Sequence, residues 1–202
     1  MTALARVHVL VLAAGASRRF GSDKRQALLP SGRSLIQQML STVTAAGLPY
    51  SVVCRPDDPL SEQLASVIVV EGAELGMGSS LAGAVSQLDS TASAVLILPL
   101  DLPLLRSKTI LRVAALLTEG TIIRPRCRGR FGHPVGFGRD YFALLEELSG
   151  DRGAQSILRT TRRESPGAVQ VLEVDDPGIY CDIDTPVALS ELSLAQFPEE
   201  HR

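Results

Sequence analysis

Cysteine is scarce in this chain of 202 residues, and its three cysteines lie far apart, at positions 54, 127 and 181. An odd and widely spaced set offers neither a zinc-binding pattern nor a disulfide framework, which fits a reducing compartment. Long apolar runs are also missing, because no stretch approaches the roughly 20 apolar residues that a membrane-spanning helix needs. The short apolar run at residues 7–14 contains His8 and leads into Gly15, which is atypical of a signal peptide. We therefore expect a cytoplasmic protein without a membrane partner.

An excess of positive charge is absent as well. Lys and Arg number 20 against 22 Asp and Glu, which gives a formal net charge of -2. No global positive field is available to attract nucleic acid, so any site for an anion must be local. With 45% hydrophobic and 21% charged residues, the composition predicts one globular domain that covers residues 1–202.

The sequence does contain a regular alternation of Val- and Ile-rich runs with segments of helical period. This alternation predicts an α/β fold with a mostly parallel sheet flanked by helices. The predicted strands cover residues 7–12, 51–54, 67–70, 94–98, 121–124 and 169–174, and the first and fourth are apolar enough to be central. The predicted helices cover residues 34–46, 79–88, 107–117, 139–148, 154–160 and 186–194, with Ser34, Ser79 and Ser107 as N-terminal caps. Residues 124–137 interrupt the alternation, which predicts an added strand or hairpin over the mouth of the sheet.

The loop after the first predicted strand is the strongest candidate for ligand binding, because ligands of open parallel sheets bind outside the carboxyl ends of the strands. Residues 12–25 combine small residues and two glycines with four cationic side chains, which are Arg18, Arg19, Lys24 and Arg25. Small residues let backbone N–H groups approach a ligand, so this composition suits a polyphosphate. The loop matches neither the dinucleotide fingerprint nor the P-loop. The alternative is a solvated turn, since Gly and Ser are typical of turns.

Residues 12–24 also match the signature L-A-A/G-G-x-S/A-x-R-M/F-G-x-x-K. Five further motifs follow in order: Gly76-Met77-Gly78-Ser79-Ser80, Pro99-Leu100-Asp101-Leu102-Pro103, Gly132-His133-Pro134, Gly150-Asp151-Arg152-Gly153-Ala154 and Asp182-Ile183-Asp184-Thr185-Pro186. In these motifs the chain resembles the nucleotidyltransferases that build dinucleotide forms of the molybdenum cofactor. The resemblance spans nearly the whole chain. It implies the Rossmann-like nucleotidyltransferase fold of the nucleotide-diphospho-sugar transferase type, in a single domain.

The reaction implied by the resemblance is transfer of a nucleoside monophosphate from a nucleoside triphosphate to a phosphate monoester, with pyrophosphate as the leaving group. Such transfers depend on positioning and on neutralisation of charge. An anionic phosphate nucleophile needs no strong general base. We therefore expect Lys24, Arg18 and Asp101 to be catalytic, with Lys24 and Arg18 holding the triphosphate and Arg19 or Arg25 as further candidates.

Two aspartates from distant parts of the chain are the candidate metal ligands. Asp101 follows the predicted strand at residues 94–98, and the resemblance places Asp184 beside the metal with Asp182 as its support. Carboxylates at a strand end suit a hard cation, so we expect Mg²⁺, with Mn²⁺ as the alternative. The competing interpretations are a turn residue for Asp101 and a helix cap before Pro186 for Asp184.

The nucleotide-binding positions implied by the resemblance lie in three segments of the chain. They are Leu12, Ala13, Ala14, Gly15, Arg18, Lys24, Gly76, Met77, Gly78, Ser79 and Asp101. Residues 76–79 lie between a strand and a helix, where free amides and the positive helix end can face a base or a phosphate. A capped turn without a ligand is the alternative.

Four arginines alternate at positions 124, 126, 128 and 130, and no acidic residue lies between Thr121 and Arg139. At a period of two they share one face if the segment is extended. This face is either a docking surface for the phosphate of the acceptor or a charged edge strand that discourages aggregation. We expect Arg128, His133 and Asp151 to bind the acceptor, the last of these from the resemblance only.

The nucleotide base is predicted from the residue at position 14. The cytidylyl members of the family carry Ala there and the guanylyl members Gly, so Ala14 favours CTP, and a methyl group leaves less room for a purine. Asp23-Lys24 follows the guanylyl pattern, and Arg25-Gln26 are two extra residues, so GTP is the alternative. The expected acceptor is a molybdopterin-type cofactor, with another phosphorylated small molecule as the alternative and a molybdoenzyme or its insertion chaperone as partner. A non-catalytic cofactor carrier is a third hypothesis.

Overall fold

The computed structural model describes residues 6–15, 20–193 and 196–197. Its centre is one eight-stranded sheet in the order β3-β2-β1-β4-β7-β5-β6, with β8 paired to β5. The strands are β1 (Val7–Leu12), β2 (Tyr50–Cys54), β3 (Val67–Val69), β4 (Ala94–Pro99), β5 (Ile122–Cys127), β6 (Arg130–Phe131), β7 (Val135–Gly138) and β8 (Val169–Glu173). Strands β1, β2, β3 and β4 are mutually parallel, as are β5 and β8, whereas β7 runs antiparallel to both of its neighbours. The predicted mostly parallel α/β sheet is confirmed.

Strands β1 and β4 pair along their whole length at the middle of the sheet, from Val7 opposite Ala94 to Leu12 opposite Pro99. Their side chains alternate between two apolar clusters, so that Val9 belongs to the cluster on one face and Leu10 to the cluster on the other. Burial on both faces is the reason that these runs contain almost no polar residue. The register sets the loop after β1 beside the loop after β4.

The helices lie on both faces of the sheet. They are α1 (Leu35–Ala45), α2 (Leu60–Gln63), α3 (Met77–Val85), α4 (Ser107–Leu116), α5 (Phe142–Glu146), α6 (Gln155–Glu164) and α7 (Pro186–Ser190). Helices α1 and α4 contribute apolar residues to one cluster, and α3, α5 and α6 contribute to the other. The short helix α2 was not expected from the sequence, and Leu194, the predicted end of the last helix, lies outside the described residues.

The serine caps are only partly as predicted. Ser34 caps α1 through a complete capping box with Gln37. Helix α3 begins two residues before Ser79, at an N-terminus without a side-chain cap, and α4 begins at Ser107 itself. The carboxylate of Asp176 instead accepts bonds from the Arg106 N–H at 3.1 Å and from the Thr109 hydroxyl at 2.6 Å. A carboxylate from a distant part of the chain thus accepts the hydrogen bonds at the N-terminus of α4.

The interruption at residues 124–137 contains both an added strand, β7, and a hairpin of β5 and β6. These strands are part of the sheet itself, whereas the sequence predicted that they lie over its mouth. β5 and β6 are joined by Arg128 and Gly129, which have φ values of 50° and 79°. Positive φ at both central residues is typical of a type I′ hairpin turn. Because this turn reverses the chain, the prediction that all four arginines share one face is wrong. Arg126 lies opposite Phe131, whereas Arg130 lies opposite Cys127 and contacts the ring of Tyr180.

No helix in the described ranges is long and apolar enough to cross a membrane.

Candidate active site

A cavity of about 520 Å³ opens at the carboxyl ends of β1, β2 and β4. Its walls come from the loop after β1, the segment between β3 and α3, the loop after β4, and two aspartates from later in the chain. Of the predicted site residues, those that line it are Leu12, Ala13, Ala14, Gly15, Lys24, Gly76, Met77, Asp101, Asp151 and Asp184. Arg18 and Arg19 lie outside the described residues. The fold therefore brings together most of the predicted nucleotide-binding positions.

Lys24 joins the two aspartates that were predicted as metal ligands. Its Nζ donates to Asp101 Oδ2 at 2.7 Å and to Asp184 Oδ1 at 3.1 Å. The backbone N–H of Ile183 donates to the carbonyl of Asp101 at 2.9 Å, which fastens the late segment to the end of β4. The side chains of Lys24 and Asp101 are 16% and 18% exposed, so this ion pair is largely shielded from solvent.

Opposing effects act on the ammonium of Lys24. Burial lowers the pKa of Lys24, and the carboxylates of Asp101 and Asp184 more than offset this, so that the pKa lies above its ordinary value. The side chain consequently remains a cation over the whole physiological pH range. A fixed positive charge at this position is what the triphosphate of a nucleotide requires.

Arg25 is the most deeply engaged cation of the loop. Its guanidinium bonds to both carboxylate oxygens of Asp23 at 2.8 Å, to the carbonyl of Ala13 at 3.2 Å, and to the buried Asp58. Burial lowers the pKa of Arg25, while its bonds to Asp23 and Asp58 raise it further than burial lowers it. Arg25 therefore supports the floor of the cavity and connects the loop after β1 to the loop after β2.

The two extra residues Arg25-Gln26 are accommodated in a short 3₁₀ turn, Lys24–Gln26. Asp23 caps this turn by accepting the N–H of Arg25 at 3.0 Å. The turn leaves the side chain of Lys24 directed at the aspartates while the side chain of Arg25 is buried. Residues 25 and 26 are thus accommodated within this turn.

Three of the four amides at residues 76–79, which were expected to face a ligand, are engaged within the protein; that of Gly76 donates to the carbonyl of Ala73 at 3.3 Å. The N–H groups of Gly78 and Ser79 donate to the carbonyl of Gly150 at 2.7 and 3.4 Å, and Ser79 Oγ accepts the N–H of Gly150 at 3.0 Å. A Cβ atom on Gly76 or Gly78 would overlap the backbone of residues 149–152. These glycines permit close packing of two loops, and only Gly76 and Met77 of this segment line the cavity.

The predicted acceptor residues are separated in the structure. Asp151 lines the cavity, whereas Arg128 is exposed at the tip of the β5–β6 hairpin and lies outside the cavity wall. His133 precedes a cis peptide bond to Pro134, and its N–H donates to the carbonyl of Ile179 at 2.8 Å. Burial lowers the pKa of His133, an effect that its ring bond to the carbonyl of Ile97 opposes only in part. The imidazole is therefore neutral near pH 7.

Asp182 is exposed and does not line the cavity. Among the described residues, no group of three or more His, Cys, Asp or Glu side chains is close enough to hold a metal ion. Of the aspartates predicted to bind metal, Asp101 and Asp184 line the cavity.

Two charged residues of the cavity were missed by the sequence reasoning. Arg55 directly follows β2 and Glu74 follows β3, and both line the cavity. The signal that identified Asp101, a charged residue just after a buried strand, also applies to Arg55. Glu74 has no comparable signal, because it lies in a 3₁₀ turn, Ala73–Leu75, that the sequence did not predict.

The model of the MobA-like NTP transferase domain matches residues 9–166 of the chain. The purine catabolism protein PucB of Bacillus subtilis is 31% identical over 189 residues, which cover 87% of this chain and 90% of that protein. The crystal structure of Rv0371c from Mycobacterium tuberculosis has a TM-score of 0.77 at 26% identity and covers 95% of this chain and 100% of that chain. A manganese complex of Rv0371c has a TM-score of 0.68 at 22% identity and covers 83% of this chain and 87% of that chain.

The molybdopterin-guanine dinucleotide biosynthesis protein A of Archaeoglobus fulgidus shares the fold, with a TM-score of 0.64 at 18% identity over 91% of this chain and 95% of that chain. The family match covers the loop after β1, Asp101 and Asp151, and leaves Asp184 beyond its end. The chain belongs to the family of MobA-like NTP transferase domains, and it is a nucleotidyltransferase.

Proposed function

We propose that this protein transfers CMP from CTP to the phosphate of a molybdopterin-type cofactor and releases pyrophosphate. The observation that carries the proposal is the position of Lys24, whose ammonium bonds to Asp101 and Asp184 at the wall of the 520 Å³ cavity. A cation and two carboxylates at the carboxyl edge of a parallel sheet are suited to a metal-bound polyphosphate.

The two carboxylates fit a divalent metal ion. They converge on one cationic atom, at 2.7 and 3.1 Å, so a single small cation can be shared between them. Mg²⁺ is commonly bound through one or two carboxylates, with the remaining positions filled by water and substrate phosphates. Asp101 and Asp184 would hold the ion, which when bound neutralises the charge of the triphosphate. Mn²⁺ has the same preference for oxygen ligands and is the alternative.

In the proposed reaction, a phosphate oxygen of the acceptor attacks the α-phosphorus of CTP. The new P–O bond forms as the bond between the α-phosphorus and the bridging oxygen breaks, and pyrophosphate leaves with that electron pair. Lys24 supplies fixed positive charge next to the triphosphate, and small residues at 13–15 let the backbone approach the phosphates. The phosphate nucleophile is already an anion, so no proton needs to be removed from it and no general base is required.

The base assignment rests on Ala14. Its side chain is 6% exposed, lines the cavity and packs against the apolar cluster on the α3 side of the sheet. A methyl group held at this position favours the smaller pyrimidine base. Arg55 and Glu74 line the same cavity and offer donors and acceptors to the edge of a base.

The acceptor assignment is supported by the order of the motifs along the chain and by the fold shared with the Archaeoglobus protein, a molybdopterin-guanine dinucleotide biosynthesis protein. The Bacillus relative is a purine catabolism protein, a description that identifies a process and no acceptor.

Pyrophosphate release is the direct test. The purified protein is supplied with Mg²⁺, a molybdopterin-type acceptor and each of the four ribonucleoside triphosphates in turn. We expect release with CTP, abolished when the acceptor is omitted. Release with GTP alone would contradict the base assignment, and release only with another phosphorylated acceptor would contradict the acceptor assignment.

The variant Asp101→Asn distinguishes the proposed enzyme from a non-catalytic carrier. As an enzyme, this variant loses pyrophosphate release by orders of magnitude, because a metal ligand is removed. As a carrier, it would leave the activity of the downstream molybdoenzyme unchanged.

A further inference from the structure

Two arginines near the cavity lack an acidic partner. Arg124 lies on β5 and Arg162 lies on α6, and neither forms an ion pair with any residue that the structure describes. Their neighbours differ in this respect, since Arg126 on the same strand pairs with Glu173 and Arg163 on the same helix pairs with Glu164 at 2.9 Å. Neighbouring cations without acidic partners repel each other, and a bound anion would reduce this repulsion.

The guanidinium of Arg124 is held in place by its surroundings. It lies over the ring of Phe131, with 4.3 Å between the guanidinium carbon and the ring centroid. Its Nε is buried and has no hydrogen-bond acceptor. Burial, and secondarily the charge of Arg162, lower the pKa of Arg124. A donor that is desolvated, positioned and unpaired is a group that an anion would satisfy.

The alternation of β5 directs Arg124 toward helix α6. Ile122 belongs to the apolar cluster that contains Ile157 and Leu158 of this helix. Because residues two apart in a strand point to the same face, Arg124 lies on this side as well. Arg162 follows Leu158 by one helical turn, which accounts for its proximity to Arg124.

Arg124 lies toward the same edge of the sheet as the candidate active site. Strand β7 lies between β4 and β5, and its Gly136 pairs with both Leu96 and Ile123. Arg124 is therefore level with Ile97, toward the carboxyl end of β4 that leads to Asp101. Helix α6 also begins just after the loop that contains Asp151, which lines the cavity. The arginines and the cavity are thus connected on the α6 side of the sheet.

We propose that Arg124 and Arg162 form a subsite that binds the phosphate monoester group of the acceptor. Two guanidinium groups offer paired N–H donors that match the oxygens of a phosphate. The assignment of the ligand to the acceptor rests on the proposed function, whereas the existence of an anion site does not. The sequence predicted a docking surface of four arginines. The proposed subsite contains only Arg124 of these four, and Arg128 and Arg130 lie elsewhere.

Inorganic phosphate is the first probe, measured by isothermal titration with the variants Arg124→Gln and Arg162→Gln. The matched controls are Arg126→Gln and Arg163→Gln, which remove one charge each from the same strand and helix. All are made in a Lys24→Ala background, so that phosphate at Lys24 does not contribute. We expect Kd for phosphate to rise about tenfold in each test variant and less than twofold in the controls.

The second readout separates this subsite from a structural role. In the otherwise unaltered protein, Arg124→Gln should raise KM for the acceptor and leave KM for the nucleotide unchanged, and Arg124→Lys should restore part of the loss. Equal effects of test and control variants on phosphate binding would overturn the subsite. An active Arg124→Gln enzyme whose KM for the acceptor is unchanged would also overturn the subsite. That result would not contradict the proposed function. If the wild-type protein binds no nucleotide, the proposed function is contradicted. The phosphate titration then still tests whether the subsite exists.

Discussion

The ammonium of Lys24 lies 2.7 Å from Asp101 Oδ2, although 77 positions separate the two residues in the sequence. The contact exists because β1 and β4 are neighbours in the sheet and end at the same level, at Leu12 and Pro99. Asp184 completes the group from 160 positions away. We therefore expect Lys24 to matter as a fixed cation and the two aspartates to matter as carboxylates.

Replacing Lys24 by Ala should lower kcat of pyrophosphate release by roughly 10²–10³, the range found when a single electrostatic stabiliser is removed. The fixed positive charge beside the triphosphate is lost, while the fold is kept because the ion pair lies at the cavity wall. Lys24→Arg keeps the charge and is the matched control, which should retain more activity than Lys24→Ala. Equal activity of the Ala variant and the wild type would contradict a catalytic role.

The same substitution should strengthen the binding of Mn²⁺ to the protein without nucleotide. Without the ammonium, the carboxylates of Asp101 and Asp184 lose one cation that competes with the metal ion for the position between them. Electron paramagnetic resonance of free Mn²⁺ measures this directly. Asp101→Asn and Asp184→Asn should each weaken Mn²⁺ binding, whereas the exposed Asp175→Asn should not. Removal of divalent metal by chelation should abolish pyrophosphate release.

Replacing Arg25 by Met should lower the free energy of unfolding by about 3–5 kcal/mol, because Asp58 would remain buried without its partner. Arg25 and Asp58 are 7% and 4% exposed. The measurement is urea denaturation at pH 7. Arg163→Met is the control, because its pair with Glu164 is exposed and such pairs contribute about 0–1 kcal/mol. A similar small loss in both variants would mean that the Arg25 pair is not an important support of the loop.

Lowering the pH below about 6.5 should destabilise the protein through its buried histidines. Burial lowers the pKa of His8 and of His133, so the unfolded chain binds protons that the folded chain does not. The free energy of unfolding should therefore fall as the pH drops from 7.5 toward 5.5, by at most about 1.4 kcal/mol per pH unit for each histidine. Urea denaturation at several pH values measures the slope. His133→Gln should reduce it, and an unchanged slope in this variant would show that His133 is not the source.

Two glycines should respond in opposite ways to the same substitution. Gly78→Ala should cost about 1–3 kcal/mol of stability, because its Cβ would overlap the backbone carbonyls of Gly150 and Arg152. Gly15→Ala meets no atom within 4 Å, so its stability should be unchanged. Since Gly15 lines the cavity, its methyl group should instead weaken nucleotide binding in a thermal-shift titration. Loss of stability in Gly15→Ala would contradict this separation.

The strands could be predicted because burial leaves a direct trace in the sequence. β1 has the predicted bounds Val7–Leu12, and β4 extends one residue beyond the prediction, to Pro99. The helix starts were less predictable, since the groups that satisfy them come from elsewhere. The Gly150 carbonyl accepts the Gly78 and Ser79 amides in the first turn of α3, and the Asp176 carboxylate accepts the Arg106 amide before α4 from 70 positions away. Neither partner can be identified from the local sequence.

The arginine hairpin illustrates a second limit. A period of two predicts a shared face only for a chain that stays extended. The chain is not extended at Arg128, which lies in the hairpin turn. For the cavity, Lys24 and Asp101 could be predicted from motifs and from the position after a strand. Arg25 could not, because its role depends on Asp58, which is 33 positions distant.

The bond between the Ile183 amide and the Asp101 carbonyl ties a late segment of the polypeptide to its middle. During translation β1, β2 and β4 are made before this segment and can begin to pair without it. Asp184, the second carboxylate proposed to hold the metal ion, is added only later. A polypeptide that stops before residue 184 can therefore form the centre of the sheet and still lack one of the two proposed ligands.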